Sequence, residues 1–313
     1  MTAVSGADHV LAFYDRHPIS AADVLTRIKE QRGSLDRLKP EDVFPHDQDH
    51  YGGLPANDEL ATAAGIRTDD LVLDLCSGLG GPARYQALSR RCRVIGVDYN
   101  ENRVRGAVDL TRRVNLARRV RFLRGNAEAL PFAPETFDAV LSQEALLHLL
   151  DKAKPLGEAF RVLKPGGRFA FTDWIAGAGL AEADRAMMWK GVAAQSIQTI
   201  NQYLALLKAA GFAEVRIVNL SALWVPILRE RLAMYRRLRE ETCIRTGVDS
   251  HAEYCAFYEA FVALVEKGAL GGARFAGTKP GARLLRTRRR PDPGAAPGPG
   301  APETPAEPPK PAD

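Results

Sequence analysis

Along the middle of the chain, apolar residues come in short runs separated by amphipathic stretches. Residues 71–75, 93–97, 120–124, 137–142 and 168–173 each have the length and apolar content of a buried strand. The stretches at about 82–91, 101–115 and 151–163 read as helices between them, and such alternation builds a parallel sheet. The third of these helices ends in Leu163-Lys164-Pro165-Gly166-Gly167, where Pro and Gly are expected to stop it and turn the chain into the next strand. A helix at about 199–210 closes with Gly211, and Val215-Arg216-Ile217-Val218 follows as a strand. Residues 222–268 are again helical, with Val225, Leu228, Leu232, Tyr235 and Leu238 on one apolar stripe suited to packing. A last short strand is expected at about 272–278. The organisation expected is a helical and loop-rich cap over 1–60 and an α/β domain over 61–279, with a helical cap inserted at about 222–268. A Pro-rich tail over 280–313 follows; from Arg290 onward it has no large apolar residue and is expected to be disordered.

The first apolar run leads straight into chemistry. Leu71-Val72-Leu73-Asp74-Leu75 breaks into Cys76-Ser77-Gly78-Leu79-Gly80-Gly81, with Pro82 placed to open a helix. Glycine lets a backbone pass close beneath a ligand. In a dinucleotide enzyme that space holds pyrophosphate. Here the glycine spacing is not the full dinucleotide pattern, and Asp74 would repel a phosphate but would suit an ammonium or sulfonium. The second strand ends at Asp98, twenty positions after Gly78, where a carboxylate can accept bonds from both ribose hydroxyls. The other use of an acid there is to cap the helix that starts at Glu101. After the third strand comes Gly125-Asn126-Ala127-Glu128, in which the Asn oxygen can meet an adenine amino group and Ala127 leaves room for the ring. Together the three elements point to S-adenosyl-L-methionine.

On these motifs, residues 71–174 resemble the Rossmann-like S-adenosylmethionine-dependent methyltransferases. The resemblance implies an α/β fold whose seven-stranded sheet has helices on both faces and an antiparallel last strand. It also implies a cofactor site lined by Asp74, Gly78, Gly80, Asp98, Tyr99, Asn126, Ala127 and Gln143. The segment Ser142-Gln143-Glu144-Ala145-Leu146-Leu147-His148 further resembles the sarcosine/dimethylglycine and phosphoethanolamine N-methyltransferases. That likeness runs from His50-Tyr51-Gly52-Gly53-Leu54 through Phe171-Thr172-Asp173-Trp174 to Gln202-Tyr203, over most of 45–279. It departs at Gly191 to Gln198, which lacks Arg and Tyr, and at Trp174, which replaces a Tyr of the phosphoethanolamine branch. That likeness implies that the segment faces the substrate. Because an ammonium must lose its proton to offer a lone pair, His148 is the candidate base, with Glu144 to pair with a cationic acceptor, Tyr51 to position it and Trp174 to add a cation–π face. The expected activity is methylation of a small molecule at an amine nitrogen, of the kind found on the way to glycine betaine. The alternative is O- or C-methylation of an apolar metabolite such as a quinone or natural-product intermediate.

Charge and composition trim this picture. The net charge of +5 invites a nucleic-acid partner. Yet much of the excess sits at 286–290 beside the tail and in the arginines of 229–239, and the Asn/Asp-Pro-Pro-aromatic turn of base methylases is missing after the fourth strand. No nucleic-acid partner is expected. No apolar run reaches the roughly 18 residues that cross a bilayer, so no membrane partner is expected either. The start of the chain lacks the basic-then-apolar order of a secretory signal. Four cysteines without Cys-x-x-Cys spacing point to a reducing cytoplasm rather than a zinc or disulfide frame. His46-Asp47-Gln48-Asp49-His50 could chelate a divalent ion. Displacement from a sulfonium needs no Lewis acid, however, and no metal is expected. The remaining partner is the methyl acceptor, bound by a monomer or homodimer.

Overall fold

In the computed structural model, which describes residues 6–15, 19–237, 239–240, 243 and 248–281, every apolar run read as a strand is one. The strands are β1 (Leu71–Leu75), β2 (Arg93–Asp98), β3 (Val120–Arg124), β4 (Phe137–Gln143), β5 (Leu163–Ala176), β6 (Ala213–Asn219) and β7 (Leu270–Thr278). They form one sheet in the order β3-β2-β1-β4-β5-β7-β6. Pairing is parallel from β3 across to β5, and β7 runs antiparallel to both β5 and β6. The strand order reverses between β1 and β4, and in such sheets ligands bind beyond the strands' carboxyl ends at that switch point.

The helices named below are α1 (Gly6–Asp15), α2 (Ala21–Arg32), α3 (Pro40–Val43), α4 (Gly53–Ala64), α5 (Gly81–Ser89), α6 (Glu101–Arg113), α7 (Ala153–Val162), α8 (Glu182–Val192), α9 (Ile200–Ala210), α10 (Ser221–Arg237) and α11 (Val248–Glu266). Alternation along a strand sends neighbouring side chains to opposite faces. Thus Val72 joins Val24, Ile28, Leu60, Ala83 and Leu110 beneath α2, α4, α5 and α6. Leu73 and Leu75 join Leu156, Tyr203 and Leu207 beneath α7 and α9. A third apolar cluster gathers Tyr51, Leu147, Trp174, Met188, Trp224, Leu228, Leu232, Tyr258 and Phe261. It joins α8, α10 and α11 to the ends of β5 and β7. The apolar stripe on 222–268 therefore packs inward, although Leu238 lies outside the described residues.

The structure departs from the sequence reading at two places. α7 stops at Val162, and Pro165-Gly166-Gly167 bulge within β5 instead of preceding it, the pairing with β4 jumping from Phe137↔Leu163 to Ala139↔Arg168. α8 was not anticipated, because only Met188 on it is buried and it carries no stripe. The alternative use of Asp98 as a helix cap falls away, since Asn100 caps α6 by accepting the Arg103 N–H at 3.0 Å. The tail beyond Gly281 lies outside the described residues.

The segment after α3 is fastened to α5 by a buried ion pair. Asp47, just after α3, accepts from the Arg84 guanidinium of α5 at 2.8 Å, both side chains being fully buried. Arg84 also donates to the Leu79 and Ala107 carbonyls and to Thr111 Oγ1.

Candidate active site

The turn from β1 to α5 sits at the switch point, and its backbone is set by positive φ at Cys76, Gly78 and Gly80. A Cβ on Gly80 would run into the Phe122 ring, whereas one on Gly78 would meet nothing within 4 Å. Gly80 thus lets the loop seat on β3, and Gly78 leaves room open to a ligand. The loop is tied to the end of β2: the Gly78 N–H donates to Asp98 Oδ2 at 2.7 Å, and the Asn100 N–H donates to Asp98 Oδ1 at 2.8 Å. Burial raises the Asp98 carboxyl, and these N–H donors pull it back.

Asp74, Gly78, Gly80, Asp98, Tyr99, Asn126, Ala127 and Gln143 all line one cavity of about 1300 Å³. Asp74 Oδ2 and Gln143 Nε2 are buried and have no hydrogen-bond partner among the described residues. Burial, reinforced by the charge of Asp98, pushes the Asp74 carboxyl up to about 7. Asn126 Oδ1 accepts the Glu128 N–H at 2.9 Å, so only its second lone pair is left for a ligand. Tyr99 is about half exposed and has the Arg124 guanidinium over its ring.

The other end of the cavity holds Tyr51, Glu144 and His148. Glu144 follows β4 with φ +51°, a strained value for a residue with a side chain, and its two oxygens each lie 3.1 Å from the Tyr51 N–H. Burial drives its carboxyl well above the usual range, toward the neutral acid. His148 closes a 3-10 turn over Leu146–His148. Its Nδ1 lies 3.0 Å from the Ala193 carbonyl, which can only accept, so Nδ1 carries the proton. Nε2 then accepts from the Tyr14 hydroxyl at 2.7 Å. Tyr14 comes from α1 and is held by the Arg103 guanidinium, 4.9 Å above its ring. Next to it, Asp15 accepts from the side-chain amides of Asn100 and Asn102.

The turn that carries His148 is clamped by a buried pair of opposite charges. Lys152 Nζ donates to the Leu146 and Leu149 carbonyls, both at 2.8 Å. Asp173 Oδ1 accepts the Leu147 N–H at 3.4 Å, and Oδ2 accepts from the Tyr203 hydroxyl. Burial lowers Lys152 to about 8 and raises Asp173 to about 6.

Tyr51 packs between Trp174 and Trp224, with the Arg231 guanidinium 4.4 Å above its ring. The cation over an aromatic face here is thus Arg231 on Tyr51, while Trp174 is 4% exposed and packs on Tyr51, Trp224 and Phe261. Beyond them Met234, Tyr235, Tyr254, Tyr258 and Phe261 line the chamber. Tyr14 and Arg231 are the residues that sequence reading missed. Tyr14 is one aromatic in an unremarkable helix, and Arg231 is one of several arginines in a run that reads as a solvated face.

The side chains of His46 to His50 diverge. His46 meets Gln31, Asp47 meets Arg84, Asp49 meets Arg103 and His50 meets Gln48, with burial lowering His50 to about 4. Among the described residues no three acid, His or Cys side chains gather as a metal would require.

Residues 73–171 match a family described as a methyltransferase domain. Sterol 24-C-methyltransferase of Eremothecium gossypii is 40% identical over 116 residues, which are 37% of this chain and only 31% of that protein. The 27-O-demethylrifamycin SV methyltransferase of Amycolatopsis mediterranei is 32% identical over 189 residues, 59% of this chain and 69% of that protein. Among solved structures, a phosphoethanolamine N-methyltransferase of Haemonchus contortus superposes with a TM-score of 0.72 at 22% identity, covering 88% of this chain and 60% of that one. The residues present fit the methyl donor of such enzymes. The unpartnered oxygen of Asp74 suits a cation, the Asp98 carboxylate suits a diol, and the opening at Gly78 leaves space between them. With its seven-stranded sheet and with relatedness that spans two thirds of the rifamycin enzyme, the chain belongs to the Rossmann-like S-adenosylmethionine-dependent methyltransferases.

Proposed function

We propose that this protein methylates a hydroxyl oxygen of a bulky, largely apolar small molecule. The observation that carries this is the charge at the acceptor end. Burial drives the Glu144 carboxyl upward, so an ammonium acceptor would have to hold it ionised against that burial, and it would meet the positive charge of Arg231 close by. The amine expected from the sequence fits this poorly, and a neutral hydroxyl fits it well. The aromatic walls and the 32% identity to an enzyme named for an O-demethylated rifamycin support the same reading.

Bound S-adenosyl-L-methionine supplies an activated methyl group on its sulfonium. The protein's own work is to hold the acceptor in line and to take its proton. The acceptor's O–H gives its proton to Tyr14 Oη as the Tyr14 proton passes to His148 Nε2. The Ala193 carbonyl steadies the imidazolium through Nδ1–H, and the proton then leaves to solvent. Leu147, Trp174 and Phe261 keep water from the acceptor's apolar body. No helix among the described residues is long and apolar enough to cross a membrane. The four cysteines are free, in keeping with a cytoplasmic site of action.

The test is transfer of labelled methyl to a mixed panel, read by mass spectrometry. The panel holds glycine, sarcosine, dimethylglycine, ethanolamine, phosphoethanolamine, substituted phenols, a quinol and a hydroxylated macrolide. Label on a hydroxyl compound is expected, and Tyr14→Phe should cut its turnover about 10²-fold with cofactor affinity kept. Label confined to amines would overturn the hydroxyl reading, and no label on any member would overturn methyl transfer to this class of molecules.

A further inference from the structure

We infer that the acceptor carries a carboxylate on its aromatic or apolar frame and that Arg231 binds it. This rests on the reading above, in which the chamber beyond His148 receives the acceptor.

Arg231 projects from α10 into the aromatic chamber and is half-buried. Its guanidinium has five N–H donors. It donates to the His50 carbonyl at 3.2 Å, and its face lies on the Tyr51 ring. Among the described residues, no carboxylate lies within 4.0 Å of it. The two acids closest in charge are otherwise committed: Asp49 pairs with Arg103 at 3.4 Å, and Glu144 turns its oxygens to the Tyr51 N–H. A guanidinium cannot shed its proton to escape burial. Its charge is opposed only from a distance, by Asp49 and Glu144, and a close ion pair would offset more of its desolvation. A carboxylate on the ligand supplies that anion and matches the guanidinium fork with two parallel hydrogen bonds.

The neighbouring phenols extend the same cradle. Tyr235, Tyr254 and Tyr258 pack on one another with ring centroids 4.6–5.3 Å apart. The Tyr254 hydroxyl donates to Tyr235 Oη at 3.0 Å, which leaves the Tyr235 proton to be given to a further acceptor. An anion entering between α10 and α11 would thus meet the guanidinium and a phenolic donor, while its apolar body lies against Trp174 and Phe261. The same cation repels an ammonium. Arg231 therefore selects for acidic acceptors and against amines with one charge.

Calorimetric titration of the S-adenosylhomocysteine-loaded protein tests this with 3-hydroxybenzoate, 4-hydroxyphenylacetate and 6-hydroxy-2-naphthoate, each beside its neutral methyl ester. The acids should bind about tenfold or more tighter than their esters, the scale of a charge-assisted pair. Arg231→Gln should bring that ratio to about one with S-adenosylhomocysteine affinity unchanged, and Arg231→Lys should keep part of it. The acid-to-ester ratio of the unaltered protein needs no variant, so a misfolded substitution leaves the test intact. Equal binding of acids and esters, a preference that survives Arg231→Gln, or binding of neither set would overturn the inference. Failure to bind S-adenosylhomocysteine would instead strike at the methyltransferase reading. Methyl transfer to a neutral hydroxyl compound with no acid preference would sink the role of Arg231 alone.

Discussion

Asp74 and Asp98 face one cavity from the ends of adjacent strands, and their proximity sets how the cofactor site responds to pH. Burial first, and the Asp98 charge second, hold Asp74 near 7 against an ordinary 3.8. An acid raised in the folded state favours the fold when protonated, and that contribution is lost as pH rises from about 4 through about 7. A cation bound beside it prefers the carboxylate, so binding must release the proton at acidic pH. Affinity for S-adenosylmethionine is expected to strengthen from pH 5.5 to about 7, by at most about tenfold per unit, and to level off above. Asp74→Asn should flatten the profile. Calorimetry in buffers of different ionisation enthalpy reads both effects, and a flat profile in the unaltered protein would remove Asp74 from the cation's surroundings. Arg84 and Asp47 answer to stability instead. Removing one member of a fully buried pair strands the other, so Asp47→Ala should cost about 3–5 kcal/mol in urea unfolding. Replacing both by apolar residues should recover much of that loss.

The strands and helices of the sheet were legible because their signals are local. Val72, Leu73 and Leu75 alternate between two apolar layers whatever those layers contain, and Pro82 and Gly80 mark the start of α5 by their own backbone preferences. The bulge at Pro165–Gly167 was not legible, since Pro-Gly-Gly breaks a helix and bulges a strand equally well, and β4 pairing decides between them. The turn carrying His148 is likewise decided by its neighbours. Three residues of 3-10 helix are too short to hold themselves, and Lys152 and Asp173 hold them from opposite sides. With His148 as the proposed base, Asp173 is expected to act as its positioning residue. Asp173→Asn should lower kcat about tenfold while acceptor KM and S-adenosylhomocysteine affinity stay put. A matching loss in all three would mark a purely structural role, and steady-state kinetics beside calorimetry would tell the two apart.

At the scale of the molecule, the site is where three separate stretches of chain meet over the carboxyl ends of the strands. Asp74, Gly78, Asp98 and Gln143 sit on the sheet strands or directly after them; the first three were legible as glycine or acid at fixed spacing, and Gln143 came only with the family resemblance. Their place follows from the strand order, which parallel pairing imposes on any chain with this alternation. Tyr14 lies 134 positions from the histidine it touches, and Arg231 lies 181 from the carbonyl it holds. Neither has a local pattern to announce it, because neither serves the element in which it sits. The sequence by itself determined the fold and the methyltransferase family, and it put forward a cradle for the methyl donor and a candidate base. Only the tertiary structure decided which charges stand around the chamber beyond His148, because that depends on which distant side chains, Arg231 among them, burial brings together.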